Sequence, residues 1–337
     1  MAEQTNTVAE PNTPEHTGRD FSLRAIIHNA GIGLALLGLI LFFSIFTEHF
    51  LNPNNITNIL TQITINLILA VGMTFVILIG GIDLSVGSVM AFAAVIAGKA
   101  ITLPGFGTTE IILLACILAV TAGFACGLLN GLITSYWALP SFIITLGMLN
   151  IARGAALHVS DAQTIYSFPF AFEEFGSAQF YGVPVVFLVA LALVLLAWFV
   201  LNRTVFGRLL YGIGNNEEAV RLAGHPVFWY KVAAFTICGL TAGIAAIVYM
   251  ARLNIASPIA GIGFELNAIA AVIIGGTSLS GGRGSVIGTL LGAFIIGVLA
   301  NGLILIGLSD FMRQMITGVV IIVAVILDYY RARYAKK

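Results

Sequence analysis

The sequence predicts an all-α integral membrane protein of about ten transmembrane helices, two of them short and broken by glycine. Three observations carry this reading. Hydrophobic residues fill 59% of the 337 positions and charged residues 9%, with a mean hydropathy of +1.03. A soluble domain carries about 25% charged residues, so this chain cannot cover a water-facing surface and needs lipid as its solvent. Apolar runs of about 20 residues, the length that crosses the hydrocarbon, recur along the whole chain. Finally, Gly80-Gly81-Ile82-Asp83-Leu84-Ser85 returns 195 positions later as Gly275-Gly276-Thr277-Ser278-Leu279-Ser280. Each copy lies between two apolar runs, so a hydrophobic helix breaks, turns on glycines and restarts in each half. Corresponding breaks in two halves are the pattern of a transporter built from an internal repeat.

In chain order, residues 1–24 read as a disordered cytoplasmic tail, because the first 20 are polar and contain Pro11, Pro14 and four threonines. The first apolar run has no small-residue cleavage site near its end and reads as a retained span. Spans are expected near 28–46, 57–79, 111–134, 139–156, 183–201, 231–251, 286–306 and 312–328. The shorter segments 85–100 and 263–276 flank the repeated phrase and complete ten, as crossings or as re-entrant hairpins. A transmembrane domain over 25–330 is thus followed by a basic cytoplasmic tail over 331–337.

Ten crossings put both termini on one side, and basic residues say which. With the N-terminus inside, the cytoplasmic segments hold Arg19, Arg24, Arg203, Arg208, Arg221, Lys231, Arg283, Arg331, Arg333, Lys336 and Lys337. The outside receives Lys99, Arg153, Arg252 and Arg313. Trp137, Trp198 and Trp229 fall at expected inner helix ends, where indole rings settle at headgroup level. Net charge is zero, which gives no basic footprint for nucleic acid.

Gly123, Gly127 and Gly131 recur every four residues in one span, as do Gly288 and Gly292 in another. Such stripes predict close helix contact, in the bundle or at a subunit interface. Cys116, Cys126 and Cys238 lack metal-ligand spacing and read as packing residues. Asp83 precedes a restarting helix and reads first as its N-cap, with a role in gating or the substrate path as the alternative. Ser278 stands in the same place in the second copy. Polar residues within spans are Gln62, Asn66, Thr74, Asn130, Asn150, Asn267 and Asn301. Asn66, Thr74 and Asn267 lead into the glycine breaks and, with Asp83, Ser85 and Ser278, are the candidates for a translocation path or its gate. Arg153 reads as a snorkelling arginine at an outer helix end.

The inner loop 202–230 contains an expected short helix of about two turns. Asn215 or Asn216 supplies the cap, Glu217 and Glu218 favour the positive end of the dipole, and Gly224 stops the helix before Pro226. Neither this loop nor the outer connection 157–182 is long enough for an independent domain. The chain has no phosphate-binding G-x-x-x-x-G-K-[ST] loop and no H-E-x-x-H motif. Ion coupling would favour ionisable groups in several spans; an intramembrane enzyme would need a nucleophile–base pair or metal ligands there. Only Asp83 is a serious candidate for ion coupling, since the histidines lie at or beyond span ends, and no nucleophile–base pair or metal-ligand set appears within the spans.

Several phrases together resemble the ribose-type family of monosaccharide ABC importer permeases. They are Ala70-Val71-Gly72-Met73-Thr74, the run from Gly80 through Ser88, the stretch from Glu217 to Gly224, and the stretch from Glu265 to Val272 that runs into Gly275-Gly276-Thr277-Ser278-Leu279. Val220 stands where the core E-A-A motif has its second alanine. The resemblance implies a non-catalytic permease of the bacterial inner membrane that pairs as a homodimer around a central pathway. It also implies cytoplasmic ATP-binding subunits, which bind the ATP and magnesium, and a periplasmic sugar-binding protein. Asn216, Glu217, Glu218, Ala219, Arg221 and Gly224 then belong to the coupling helix that sits in a groove of the ATPase. A branched-chain amino acid ABC permease is the closer rival, since it shares the Gly-Gly-x-Asp-Leu-Ser theme; an ion-coupled secondary transporter is the more distant one.

Overall fold

The computed structural model describes residues 18–334, with side chains described over 31–326. The expected tails therefore fall largely outside the described residues. Helix α1 (Gly18–Phe46) nevertheless begins inside the segment expected as a tail over 1–24, because the run from Phe21 to Ile27 holds no Gly or Pro to stop it. Eleven further helices follow among the described residues: α2 (Pro53–Leu78), α3 (Val86–Ile101), α4 (Thr108–Tyr136), α5 (Ser141–Val159), α6 (Phe170–Ser177), α7 (Val185–Arg203), α8 (Val205–Leu222), α9 (Val227–Leu253), α10 (Phe264–Ile274), α11 (Val286–Leu305) and α12 (Asp310–Tyr334).

Each of the ten apolar segments coincides with one helix, and α6 and α8 are additions in the two polar connections. Helices α2, α4, α5, α7, α9 and α11 are each long and apolar enough to cross a membrane. Helix α10 is only 11 residues long and rises about 16 Å, roughly half the hydrocarbon thickness.

Burial orders the bundle. In α2 and α9, 78% and 72% of the apolar window is buried, against 33% in α4 and α7 and 22% in α5. The first two are therefore central, and the others keep an apolar flank for lipid or for another subunit. The glycine stripes act within the chain. A methyl group at Gly127 would come 2.9 Å from Gly239 Cα, so α4 and α9 touch backbone to backbone. Gly288 and Gly292 lie against Gly275 and Ala271 and bring α11 onto α10 in the same way.

Beyond the span ends lies a small cap that hydropathy did not reveal. Strands β1 (Ile165–Tyr166) and β4 (Ile255–Ala256) pair antiparallel, as do β2 (Gln179–Phe180) and β3 (Val183–Pro184). Asn254, in left-handed conformation at φ 53°, fastens the cap: its Oδ1 accepts from Phe168 N at 3.2 Å and its Nδ2 donates to Glu173 at 3.0 Å.

Candidate translocation core and coupling face

Both glycine breaks begin with the same helix end. At the close of α2, Gly80 N donates to Ile77 O and Gly81 N to Val76 O, each at 2.9 Å, with Gly80 at φ +77°. At the close of α10, Gly276 N donates to Ile273 O at 2.8 Å and Thr277 N to Val272 O at 3.1 Å, with Gly276 at φ +84°. Only a residue without Cβ takes that left-handed turn at no steric cost. The repeated phrase pairs Gly80 with Gly275, but the geometry pairs Gly80 with Gly276. Gly275, at φ −65°, still follows the helix.

The expected capping by Asp83 and Ser278 is corrected. Asp83 Oδ1 accepts from Ser85 N at 2.8 Å and Ser85 Oγ at 2.6 Å, closing a turn two residues along, while α3 starts at Val86 with no side-chain cap. Ser278 Oγ accepts from Ser280 N at 3.3 Å in the same fashion, and α11 is capped instead by Ser285, whose Oγ accepts from Gly288 N at 2.9 Å. Short polar side chains favour the amide two residues on, and in both copies that local bond wins over the more distant helix start.

Lipid offers no hydrogen bonds, so broken backbone must be satisfied by protein. For the first break the partners come from α4 and α5. Ile82 N donates to Ser141 Oγ at 2.9 Å, Leu84 N to Thr145 Oγ1 at 3.1 Å, and Asn130 Nδ2 to Ser85 Oγ at 3.0 Å. Ser141 and Thr145 escaped the sequence reading, because a bond across about 60 positions leaves no local pattern.

The second break is held differently. Gly282 N donates to Leu78 O at 2.8 Å, joining the two breaks. From α8, Asn215 Nδ2 donates to Gly282 O at 3.2 Å and Tyr211 Oη to Gly284 O at 3.0 Å. Gly214 fits between Leu78 O and the Gly282 amide, where a methyl group would overlap both. Burial pushes the Tyr211 phenol up to about 12, so it remains a protonated donor at neutral pH.

Helix α8 is longer than the expected two turns and is kinked. Asn216 leaves helical geometry at φ −159°, ψ 95°, and its Oδ1 accepts from Ala219 N at 3.0 Å. It is thus Asn216, rather than Asn215, that has N-cap geometry. The short piece beyond it offers Glu217, Glu218 and Arg221 with 52%, 56% and 68% of their side chains exposed. Glu218 pairs with Arg221, and Glu217 with Lys231 of α9 at 3.1 Å. Gly224, at φ +84°, ends this piece as expected.

The path candidates do not gather in one place. Thr74 is sealed: its hydroxyl donates to Ala70 O at 2.8 Å and lies 2.9 Å from Thr289 Oγ1, in the seam between α2 and α11. Asp83 and Ser85 are equally buried in the first break. Asn66, Asn267 and Ser278 are half-buried, and Asn66 Oδ1 has no hydrogen-bond partner. The snorkelling role expected of Arg153 is corrected as well. Its guanidinium turns inward and donates to Pro258 O at 2.6 Å and Ala260 O at 2.8 Å, holding the loop that leads into α10.

Comparison with known proteins shows the family. A family model described as branched-chain amino acid transport system / permease component matches residues 55–325. The ribose import permease protein RbsC of Bacillus subtilis (strain 168) is 41% identical over 90% of this chain and 93% of its own length. RbsC of Escherichia coli (strain K12) is 39% identical over 93% and 97%. The D-allose transport system permease protein AlsC of the same strain is 39% identical over 86% and 87%. No solved structure matches the chain.

Proposed function

This chain belongs to the branched-chain amino acid transport system / permease component family, and we propose that it is the membrane subunit of an ABC importer for a neutral monosaccharide. The observation that carries the substrate class is identity of about 40% along almost the whole chain to ribose and allose permeases. Few charges within the spans suit a neutral solute. In this reading nine helices cross the inner membrane of a bacterium and the short α10 completes a tenth crossing together with the loop 275–285, with both termini in the cytoplasm, and two copies of the chain form the pathway. A periplasmic binding protein delivers the sugar from outside, and ATP is hydrolysed by separate cytoplasmic subunits.

The exposed piece of α8 is the contact for those subunits. Asn216 caps it, Glu217 ties it to α9, and Glu218, Ala219, Arg221 and Gly224 face outward or shape its end. A short rigid helix of this kind passes on a push from the ATPase as a displacement rather than absorbing it. Asn66, Asn267 and Ser278 are assigned to the sugar route, because polar residues only partly buried among apolar helices, with Asn66 Oδ1 lacking a protein partner, can bond water along a path. Thr74 serves packing.

The family's description favours one second reading, a branched-chain amino acid as cargo. Reconstitution with a cognate ATPase and binding protein separates the two. Labelled D-ribose and D-allose are offered in parallel with L-leucine, with ATP inside the vesicles' ATPase compartment. ATP-dependent uptake of a monosaccharide is expected; saturable leucine uptake without any sugar uptake overturns the assignment.

A further inference from the structure

The two glycine breaks are anchored to different parts of the molecule. The first is bound to α4 and α5 through Asn130, Ser141 and Thr145, and among the described residues its loop makes no hydrogen bond to α8. The second is a loop without regular structure over 275–285, with Gly281, Gly282 and Gly284 at φ +81°, +73° and +155°. Such a glycine-rich loop is soft, and its position depends on what holds it. Tyr211 and Asn215 supply two side-chain bonds from α8, at 3.0 and 3.2 Å. Gly214 adds a close backbone contact, shared between Gly282 N of this loop and Leu78 O at the end of α2, whereas the side-chain bonds from α8 go to the second break alone. Between the breaks themselves runs one main-chain bond, Gly282 N to Leu78 O.

This arrangement has a mechanical consequence. The part of α8 before the Asn216 kink is fastened to the second break, and the part after it is exposed. A displacement of α8 therefore reaches the ends of α10 and α11, while α4 and α5 hold the first break in place. We infer that Tyr211 and Asn215 are positioning residues that make the second break travel with α8, so that movement imposed by the ATPase shifts the second break against the first. The inference rests on the coupling role assigned to α8 above.

The test uses the permease assembled with its ATPase. Nitroxide labels are placed at Leu139→Cys, before α5, and Ser280→Cys, on the second break, in a Cys116→Ala background; the other two cysteines are buried. Dilution with unlabelled permease leaves one labelled copy per dimer. Pulsed electron resonance compares the label distance in the nucleotide-free state with that after ADP–vanadate trapping. With Tyr211 and Asn215 intact, trapping is expected to shift the distance by several ångströms. In the Tyr211→Phe/Asn215→Ala variant the resting distance and the amount of trapped ADP are expected to persist while the shift falls below half. A full shift in that variant, or no shift in the parent despite trapped ADP, overturns the inference. If the double variant already displaces the resting distance, Tyr211→Phe alone decides: it keeps every packed atom except the hydroxyl, and a full shift in it overturns the inference likewise. Failure of the ATPase to bind and trap ADP on the unaltered permease instead removes the coupling reading beneath it.

Discussion

Asn130 reaches from α4 into the first glycine break, its amide nitrogen 3.0 Å from Ser85 Oγ and 3.4 Å from Asp83 Oδ2, with all three side chains buried. Asn130→Ala leaves Ser85 and Asp83 short of a donor, and an unmet buried polar group costs about 1–3 kcal/mol. The thermal midpoint in detergent should drop accordingly. Asn150→Ala is the control: that amide bonds only to Leu146 O in its own helix and is exposed, so its effect should stay within about 0.5 kcal/mol.

Contact between α4 and α9 makes a steric prediction. A Cβ at Gly127 would lie 2.5 Å from Phe235 O and 2.9 Å from Gly239 Cα, whereas one at Gly147 meets nothing within 4 Å. Gly127→Ala should destabilise by about 1–3 kcal/mol, the usual cost of overpacking. Gly147→Ala should be neutral or stabilising, since alanine is the better helix former by about 1 kcal/mol. The same detergent melts distinguish them.

Asn55 and Asn301 form a closed amide pair between α2 and α11, with both Nδ2–Oδ1 distances at 3.0 Å. A double-mutant cycle through Asn55→Ala and Asn301→Ala should return a coupling energy of about 0.6–1.7 kcal/mol, the range met within membranes. Additive losses would show that the two amides do not depend on each other.

Glu218 is exposed and its partner Arg221 more so, so Glu218→Lys should leave membrane abundance and thermal midpoint within about 0.5 kcal/mol of the parent. Uptake should fall at least tenfold while the ATPase continues to turn over, which is read as ATP hydrolysed per sugar imported. Unchanged uptake would remove Glu218 from the coupling contact.

Apolar length and glycine spacing made the helices legible, because lipid imposes one rule on every crossing segment: an uninterrupted apolar run with its backbone bonds inside. Gly80 and Gly276 were legible as breaks for the same reason, although the register of the second lay one residue from the repeated phrase. Asn216 and Gly224 were legible because caps are local chemistry. What stayed hidden was long-range. Ser141, Thr145 and Tyr211 satisfy backbone groups about 60 to 75 positions away, and nothing beside them in the sequence marks that task. The first part of α8 was hidden too, since Gly207, Gly212 and Gly214 weaken its helical pattern while Gly214 serves a close contact. The small cap beyond the span ends rests on two-residue strands, too short to leave an alternation.

We propose that this chain is a gate without an engine of its own. The most direct test is sugar uptake by vesicles holding the purified permease with and without its ATPase, under imposed sodium and proton gradients. Accumulation is predicted only when the ATPase, the binding protein and ATP are all present. Accumulation by the permease alone, driven by either ion gradient, would show that the chain carries its own energy coupling and overturn that assignment.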